Sequence, residues 1–330
     1  ATTAVLSNYY YMKILMEAGL PKGVMNFVPS TGKDLSKYVL SNPALAGCHF
    51  TGSTRVFRDI WRQVGSNIEA YNSYPRLVGE TGGKDFIFAH SSCDTDALSS
   101  ALIRGAFEYQ GQKCSAASRA FIPQSIWEEV LKQLKEKMAD LKVGDVKDFR
   151  NFLGAVIDEA SFNNIESYLQ HAKSSPDAEI IIGGGCNKEK GFFVEPTIIK
   201  ASTPYYKAMT EEIFGPVLAI YVYPDDKFYE TLKACDTASP YALTGAVFGN
   251  DRKAVIDMTG ALRNTAGNIY INDKPTGATV GQQPFGGSRA SGTNDKAGSQ
   301  INLYRWLSIH SIKECLMPTG DVVYPFMDEE

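Results

Sequence analysis

Four short stretches contain side chains whose types and spacing could do chemistry. The first, Gly111–Ala116, places Cys114 directly after Lys113 and among small residues. A thiol in this setting is open to a substrate, and a nearby cation favours the nucleophilic thiolate. The structural alternative is strong, because a free cysteine is more often a small buried hydrophobe, which is what we expect of Cys48 and Cys235.

Carboxylates stand out in two further stretches. Glu80 opens Glu80–Lys84, between one predicted strand and the next. A carboxylate at the carboxyl end of a strand in an α/β sheet is well placed to meet a ligand, although a solvated turn charge is the commoner case. The stretch Thr210–Val217 contains Glu212 and Phe214, and taken alone it is a loop that leads into a strand.

The fourth stretch, Phe50–Thr54, joins an apolar strand to a helix. Gly52 lets the backbone approach a ligand, and Ser53 can cap a helix whose N-terminus faces a phosphate. Most such turns are only caps, and this one is not a Gly-x-Gly-x-x-Gly fingerprint.

Composition excludes several classes of protein. The 330 residues carry 33 Lys and Arg against 37 Asp and Glu, a net charge of −4, so we expect no nucleic acid and no anionic membrane as partner. Apolar runs stay well below the roughly 20 residues needed to span a bilayer. The six cysteines form no Cys-x-x-Cys pair, which argues for free thiols and against a metal site.

Helical and strand patterns alternate along the chain, which favours βαβ units and an α/β fold. Residues 276–298 form a long stretch without periodicity, and such a loop is often functional. The predicted strands cover residues 24–28, 45–50, 77–79, 86–89, 119–122, 179–182, 193–199, 217–223, 243–248 and 267–272, with one edge strand over 321–326.

The order of the four motifs, Phe-Thr-Gly-Ser-Thr, Glu-Thr-Gly-Gly-Lys, Gly-Gln-Lys-Cys-Ser-Ala and Glu-Glu-Ile-Phe-Gly-Pro-Val, resembles that of the aldehyde dehydrogenase superfamily over nearly the whole chain. Residues 107–116, 221–227 and 272–296 resemble one branch of it, the Δ1-pyrroline-5-carboxylate dehydrogenases. The resemblance implies two Rossmann-like three-layer α/β domains, of which the NAD-binding one is incomplete, and a C-terminal oligomerisation strand near 322–326.

The resemblance also implies a division of the chain. Residues 1–83 correspond to part of an NAD-binding domain, and residues 84–285 to the catalytic domain. Residues 286–313 would return to pack on the NAD-binding domain, and residues 314–330 would form an oligomerisation tail. The chain opens inside a helix without an initiator Met, and we expect an N-terminally truncated sequence.

In this superfamily the thiol corresponding to Cys114 attacks the aldehyde carbon and forms a thioacyl intermediate. The carboxylate corresponding to Glu80 activates the water that releases the acid, and the Cys114 N–H helps to hold the oxyanion. The implied reaction is NAD-dependent oxidation of L-glutamate γ-semialdehyde to L-glutamate in proline catabolism.

The resemblance assigns the remaining site residues as follows. Those expected to bind the cofactor NAD are Gly52, Ser53, Thr54, Arg55, Val56, Glu212 and Phe214. Those expected to bind the substrate are Lys113, Ser115, Gly277, Ala278 and Phe285. Two positions depart from the pattern, because Arg55 and Val56 follow the Gly-Ser-Thr turn where small residues are common, and Ala278 stands where this branch often has Ser.

Two alternatives remain open from the sequence. One is another semialdehyde or acylating dehydrogenase, although Glu80 argues against a CoA-dependent acylating enzyme. The other is a non-catalytic fragment that acts as a binding partner. By resemblance, we expect a homodimer or higher homo-oligomer in the mitochondrial matrix, acting on a small-molecule substrate.

Overall fold

The computed structural model describes residues 2–279 and 281–327. Residue 1 of the predicted segment 1–83 and residues 328–330 of the predicted segment 314–330 lie outside the described part. Strands and helices alternate through most of it. The strands are β1 (Gly47–Thr51), β2 (Arg76–Glu80), β3 (Asp85–Ala89), β4 (Ala117–Pro123), β5 (Ala178–Ile182), β6 (Cys186–Asn187), β7 (Phe193–Val194), β8 (Thr197–Ala201), β9 (Val217–Tyr223), β10 (Tyr241–Ala242), β11 (Thr244–Phe248), β12 (Asn268–Ile271) and β13 (Ser288–Arg289). The α-helices are α1 (Val5–Glu17), α2 (Gly32–Val39), α3 (Thr54–Ser66), α4 (Thr95–Phe107), α5 (Gln124–Ala139), α6 (Glu159–Ser174), α7 (Lys207–Thr210), α8 (Phe228–Thr237), α9 (Arg252–Ala261) and α10 (Gln300–Tyr304).

The largest sheet has seven strands in the order β12-β11-β3-β4-β9-β8-β5. Its neighbours are parallel except for the antiparallel edge pair β5 and β8. Strand β3 is buried at every position, as expected for a parallel strand that helices cover on both faces. Helices α4 and α5 contribute to the core on one face, and α6, α8 and α9 to the core on the other. This unit is therefore a three-layer α/β sandwich.

A second, smaller unit consists of the parallel pair β1 and β2 with α3 packed on it. Phe57, Ile60 and Val64 recur at helical spacing on the buried face of α3. The Ser53 side chain accepts a hydrogen bond from the Val56 N–H at 3.4 Å and caps the start of this helix.

A late segment of the chain contacts the smaller unit. The Thr81 N–H donates to the Ser291 carbonyl at 2.9 Å, and the Thr293 N–H donates to the Gly79 carbonyl at 3.0 Å. Further along, the Trp306 ring stacks on His49 with centroids 5.6 Å apart. The domain boundaries proposed from the sequence stay a prediction. If residues 286–313 return to pack on the NAD-binding domain, contacts of this kind between them and the smaller unit are expected.

Three strand predictions are wrong. Residues 24–28 form no strand, and the predicted strand over 193–199 is divided into β7 and β8 by Pro196, which cannot donate a ladder hydrogen bond. The C-terminal strand over 321–326 is also not formed: residues 321–324 lack regular structure, and Pro325–Met327 is a 3-10 turn. Among the described residues no strand lies beside this segment to pair with its backbone.

No helix in the described part of the chain combines the length and the apolar character needed to cross a membrane.

Candidate active site

One cavity of about 710 Å³ lies where the two units meet. Nine of the residues predicted from the sequence contribute to its wall. They are Gly52, Ser53, Glu80, Lys113, Cys114, Ser115, Glu212, Phe214 and Gly277.

Sheet topology brings these residues together. Strands β3, β4 and β9 are parallel neighbours, so the segments that lead into them emerge at one edge of the large sheet. Those segments contain Gly82, Cys114 and Glu212. The carboxyl ends of β1 and β2 face the same cavity and supply Gly52 and Glu80. The site therefore lies between the carboxyl ends of β1 and β2 in the smaller unit and the amino ends of β3, β4 and β9 in the large sheet.

A strained turn holds Cys114. Tyr109, Gln110 and Gly111 have consecutive φ values of 56°, 57° and 64°, a left-handed run that only the glycine adopts without strain. The Ala116 N–H then donates to the Lys113 carbonyl at 3.1 Å and closes a turn around the cysteine. Within residues 2–279 and 281–327 no backbone carbonyl accepts a hydrogen bond from the Cys114 N–H, which lies against its own sulfur and lowers the pKa of the thiol.

The cavity does not favour the Cys114 thiolate. The pKa of this thiol is raised to about 12, first by burial and then by the carboxylates of Asp85, Glu80 and Glu212, in that order. The expectation that Lys113 favours the thiolate is wrong, because its ammonium lies 3.0 Å from the Glu108 carboxylate and forms an ion pair there.

Glu80 has the properties of a general base near neutral pH. The residue is 7% exposed, and within the described residues neither carboxylate oxygen has a hydrogen-bond partner. Burial raises its pKa to about 7, the Lys296 ammonium opposes that shift, and Asp295 adds to it. A carboxyl group that titrates close to 7 can both take and return a proton in this cavity.

Glu212 and Phe214 line another part of the cavity. The Gly83 N–H donates to Glu212 Oε1 at 2.9 Å, and burial raises the pKa of this carboxyl group. Phe214 is 41% exposed and has a φ of 59°, an unusual conformation for an aromatic residue. Such strain often persists where surrounding contacts fix a ligand-binding segment.

Thr54 links the two units from the edge of the site. Its hydroxyl donates to the Ala290 carbonyl at 3.1 Å and accepts from the Gly82 N–H at 3.3 Å. Together with Arg55 and Arg58, it borders a separate cavity of about 270 Å³.

Besides Thr54, four of the residues predicted to bind ligands lie outside the large cavity. The Arg55 side chain is 83% exposed and lies 3.9 Å from Asp59, and Val56 packs against the core under α3. Ala278 is half-buried beside the cavity-lining Gly277, and the Phe285 backbone pairs with Ala297. Their predicted ligand contacts therefore stay predictions.

Sequence reasoning missed the buried charged groups of this region. Thr51, Thr81, Gly82, Gln112 and Thr276 also line the cavity, and each lies within a stretch that the sequence singles out. Beneath the cavity lie Lys84, Asp85 and Arg119, each nearly inaccessible to solvent. Burial lowers the pKa of Lys84 to about 7 and raises the pKa of Asp85 to about 8.

The model of the aldehyde dehydrogenase family matches residues 1–312. The chain belongs to this family. It is 58% identical over 329 residues to the mitochondrial Δ1-pyrroline-5-carboxylate dehydrogenase of Dictyostelium discoideum, covering 99% of this chain and 59% of the relative. The human protein of the same name is 50% identical, over 98% of this chain and 58% of that relative.

Solved structures in the family agree with the fold. The Δ1-pyrroline-5-carboxylate dehydrogenase of Mycobacterium tuberculosis bound with NAD superposes with a TM-score of 0.91 at 50% identity, covering 98% of this chain and 59% of that chain. The corresponding Thermus enzyme with bound NAD gives 0.85 at 34% identity, over 92% and 58% of the two chains. The α/β fold of aldehyde dehydrogenases is therefore confirmed, and the chain spans somewhat less than 60% of these relatives.

Proposed function

We propose that the protein carrying this chain oxidises L-glutamate γ-semialdehyde to L-glutamate with NAD, in proline catabolism. The observation that carries the proposal is the convergence of Cys114 and Glu80 on one cavity together with the predicted cofactor residues. The relatives named Δ1-pyrroline-5-carboxylate dehydrogenase, at up to 58% identity, support the choice of substrate.

The residues at the mouth of the cavity fit a dinucleotide. The capped N-terminus of α3 beside Gly52 offers backbone N–H groups to a phosphate, as helix N-termini do. Glu212 offers a carboxylate to ribose hydroxyls. An added Cβ at Gly82 would lie 2.5 Å from Glu212 Oε2, so any residue larger than glycine at this position would displace the carboxylate. When bound, NAD supplies a hydride acceptor.

The first step joins Cys114 to the aldehyde. The sulfur forms a bond to the carbonyl carbon, and the thiol proton leaves to Glu80, whose pKa of about 7 lets it accept at neutral pH. The Cys114 N–H, whose hydrogen bond no backbone carbonyl of the described residues accepts, would donate to the developing oxyanion. One such donor is typically worth about 3–4 kcal/mol.

Glu80 acts again after the substrate carbon has been oxidised to the thioester of Cys114. Glu80 first passes the proton that it took from the thiol to bulk water. Its carboxylate then takes a proton from the attacking water, whose oxygen bonds to the acyl carbon. The C–S bond breaks as this proton moves to the sulfur, which releases the acid and the thiol. Burial of both groups in one cavity keeps the thioester from unguided hydrolysis.

The setting of the enzyme is part of the proposal. Curated relatives from Dictyostelium discoideum, mouse and human are named mitochondrial, which supports the mitochondrial matrix as its compartment. We also propose a homodimer or higher homo-oligomer. Exposed apolar side chains in the tail support it, such as Val322 at 93% and Phe326 at 73% exposure, and light scattering of the purified protein measures it.

The test is NADH formation from Δ1-pyrroline-5-carboxylate, compared with succinate semialdehyde and propanal. We expect the first to be preferred, and Cys114→Ala to abolish turnover, while Cys186→Ala, a half-buried cysteine outside this cavity, retains it. Preference for another aldehyde would overturn the substrate assignment. A folded protein that turns over none of these aldehydes would instead be a non-catalytic binding partner.

A further inference from the structure

Helix α6 presents a row of polar side chains to segment 206–215, the stretch that leads into β9 and contains two of the predicted cofactor residues. The row consists of Asn164, Tyr168 and His171, which stand at i, i+4 and i+7 and therefore share one face of the helix. We call these three residues the polar stripe. They lie outside the large cavity, and the proposed reaction gives them no part.

Two members of the polar stripe hold the residues on either side of Glu212. The Tyr168 hydroxyl donates to Glu211 Oε2 at 2.6 Å. The Asn164 side-chain amide donates to the Ile213 carbonyl at 3.2 Å. Glu212 therefore lies between two residues that α6 tethers, one through its side chain and one through its backbone.

The third member holds the beginning of segment 206–215. The His171 ring and the Tyr206 hydroxyl are hydrogen-bonded at 3.0 Å, and the two ring centroids lie 5.7 Å apart. Tyr206 is 6% exposed and directly precedes α7. The polar stripe therefore contacts the segment at three points that are spread over most of its length.

The backbone of the segment couples Glu211 to Glu212. Glu211 is extended, with a φ of −99° and a ψ of 145°, and successive side chains of an extended chain point to opposite sides. The Glu211 carboxylate accordingly meets α6, whereas Glu212 faces the cavity and accepts a hydrogen bond from the Gly83 N–H at 2.9 Å. A rotation of the chain that released Glu211 from α6 would also turn Glu212 away from the cavity.

The end of the segment needs such support, because its backbone is strained. Phe214 has a φ of 59°, which a residue other than glycine rarely adopts. Next to it, an added Cβ at Gly215 would lie 2.4 Å from Ile165 Cδ1, so the segment packs directly on α6 at this point. A strained conformation persists only where the surrounding contacts determine it fully, and α6 supplies several of these contacts.

The contact between Tyr168 and Glu211 has a fixed direction. Burial and the neighbouring Glu211 carboxylate raise the pKa of Tyr168, so its hydroxyl keeps the proton that it donates. Lys207 Nζ lies 4.7 Å from the centre of the Tyr168 ring and 4.0 Å from Glu211 Oε2, so this cation packs against both partners. A hydrogen bond donated to a carboxylate is stronger than one between neutral groups, which makes this the strongest contact of the polar stripe.

We propose that the polar stripe positions Glu212 and Phe214 through segment 206–215 and thereby sets the affinity of the protein for NAD. This inference rests on the proposed function, because it takes these two residues as contacts of the cofactor. The members of the stripe are positioning residues, since they act on the cofactor through the segment. Without them, part of the binding energy of NAD would go into ordering the segment.

The first experiment measures equilibrium binding of NADH by its fluorescence, with the full protein and no aldehyde. Tyr168→Phe removes one hydroxyl and keeps the ring beside Lys207, and it should weaken NADH binding about three- to tenfold. Tyr229→Phe is the matched control, because the Tyr229 hydroxyl also donates to a carboxylate, Asp257 Oδ2 at 2.8 Å, between α8 and α9. Its NADH affinity should stay within about twofold of that of the unsubstituted protein. Unchanged NADH affinity in Tyr168→Phe would overturn the proposal.

A second pair of variants separates position from charge. Asn164→Asp replaces the donating amide by a carboxylate, which repels the Ile213 carbonyl, and it should weaken NADH binding about as much as Tyr168→Phe. Asn163→Asp, at the exposed neighbouring residue, introduces the same charge without that contact. Equal weakening by the two substitutions would mean that charge alone is responsible, and it would contradict the positioning role of Asn164.

Steady-state kinetics distinguish positioning from damage to the fold. Destabilisation alone would lower the active fraction, and with it kcat, while leaving KM for NAD unchanged. Misplacement of Glu212 should instead raise KM for NAD about three- to tenfold and change KM for the semialdehyde less than about twofold. A lower kcat with an unchanged KM for NAD in Tyr168→Phe would indicate a merely structural role and contradict the proposal.

The two proposals fail in different ways. NADH binding that depends on Tyr168, without turnover of any aldehyde, would contradict the proposed function and leave the role of the polar stripe intact. Turnover of the semialdehyde with a KM for NAD that is indifferent to Tyr168→Phe and Asn164→Asp would do the reverse. Absence of NADH binding by the unsubstituted protein would overturn the role of the polar stripe.

Discussion

Cys114 and Glu80 share one cavity, and their protons are held with very different strength. The thiol has a pKa of about 12 and the carboxyl group one of about 7, so transfer of the proton from Cys114 to Glu80 is strongly unfavourable before substrate arrives. Bond formation at sulfur must offset this cost. We therefore expect thiol attack and proton transfer to Glu80 to be coupled.

The pH dependence of turnover follows from Glu80. In the proposed reaction its carboxylate is the active base, so kcat/KM should rise with pH through about 7 and level off above it. The measurement is a pH–rate profile between about pH 5.5 and 9. Asp295→Asn should move the midpoint to lower pH, because the Asp295 charge raises the pKa of Glu80. A profile that stays flat through this range would contradict the role of Glu80.

Alkylation reports on the thiol directly. The Glu80 carboxylate raises the pKa of Cys114, so Glu80→Gln should increase the thiolate fraction and speed labelling by iodoacetamide about two- to tenfold at pH 9. Peptide mass spectrometry can follow labelling at Cys114 alone. Glu179→Gln, on the edge strand β5, should leave the rate unchanged, and slower labelling of Glu80→Gln would refute the electrostatic argument.

Between α4 and β4, the turn that presents Cys114 depends on a backbone conformation suited to glycine. Gly111 has a φ of 64°, and an added Cβ there would collide with the Gly215 carbonyl oxygen. Gly111→Ala should therefore destabilise the protein by about 2–4 kcal/mol and displace the nucleophile. Urea unfolding measures the first effect and loss of turnover the second.

Gly65 in α3 provides the opposite expectation. A Cβ at this position meets nothing within 4 Å, and the residue lies inside a helix. Gly65→Ala should stabilise the protein by about 0.5–1 kcal/mol, since alanine is the better helix former. Equal effects of the two substitutions on unfolding would show that the turn at Gly111 carries no special constraint.

The sequence pattern predicts the strands of the large sheet correctly, because the residues with a high strand propensity there are also the ones that are buried. Strand β9 coincides with the predicted 217–223, where Val, Leu and Ile run almost unbroken. Residues 24–28 and 321–326 are comparably apolar, yet neither forms a strand. A strand forms only where a neighbour takes up its backbone hydrogen bonds, and a local pattern does not contain that neighbour.

At the scale of the whole molecule, buried apolar residues concentrate around the seven-stranded sheet. The segments 3–46 and 301–327 instead carry many exposed apolar side chains. Examples are Leu6, Ile14, Val28, Ile309, Leu316 and Val322, each more than 60% exposed. Such segments have few buried contacts to resist local opening, and such surfaces favour association.

Limited proteolysis tests this distribution of stability. Dilute thermolysin should cut first within 3–46 and 301–327 and leave the region from β3 to β12 intact, with the fragments identified by mass spectrometry. Light scattering at matched concentration separates association from cleavage, because a self-associated protein would protect the same segments. Early cleavage inside β4 or β9 would contradict this prediction.

The sequence by itself determined the family and the chemical types at the site. Four motifs in a fixed order predict Cys114 and Glu80 as the reacting pair, and their order along the chain needs no fold. Tertiary structure decided the rest, because pKa values and ion pairs depend on burial and on neighbours that are distant in sequence. It placed Lys296 near Glu80, and it paired Lys113 with Glu108, which Lys274 also contacts.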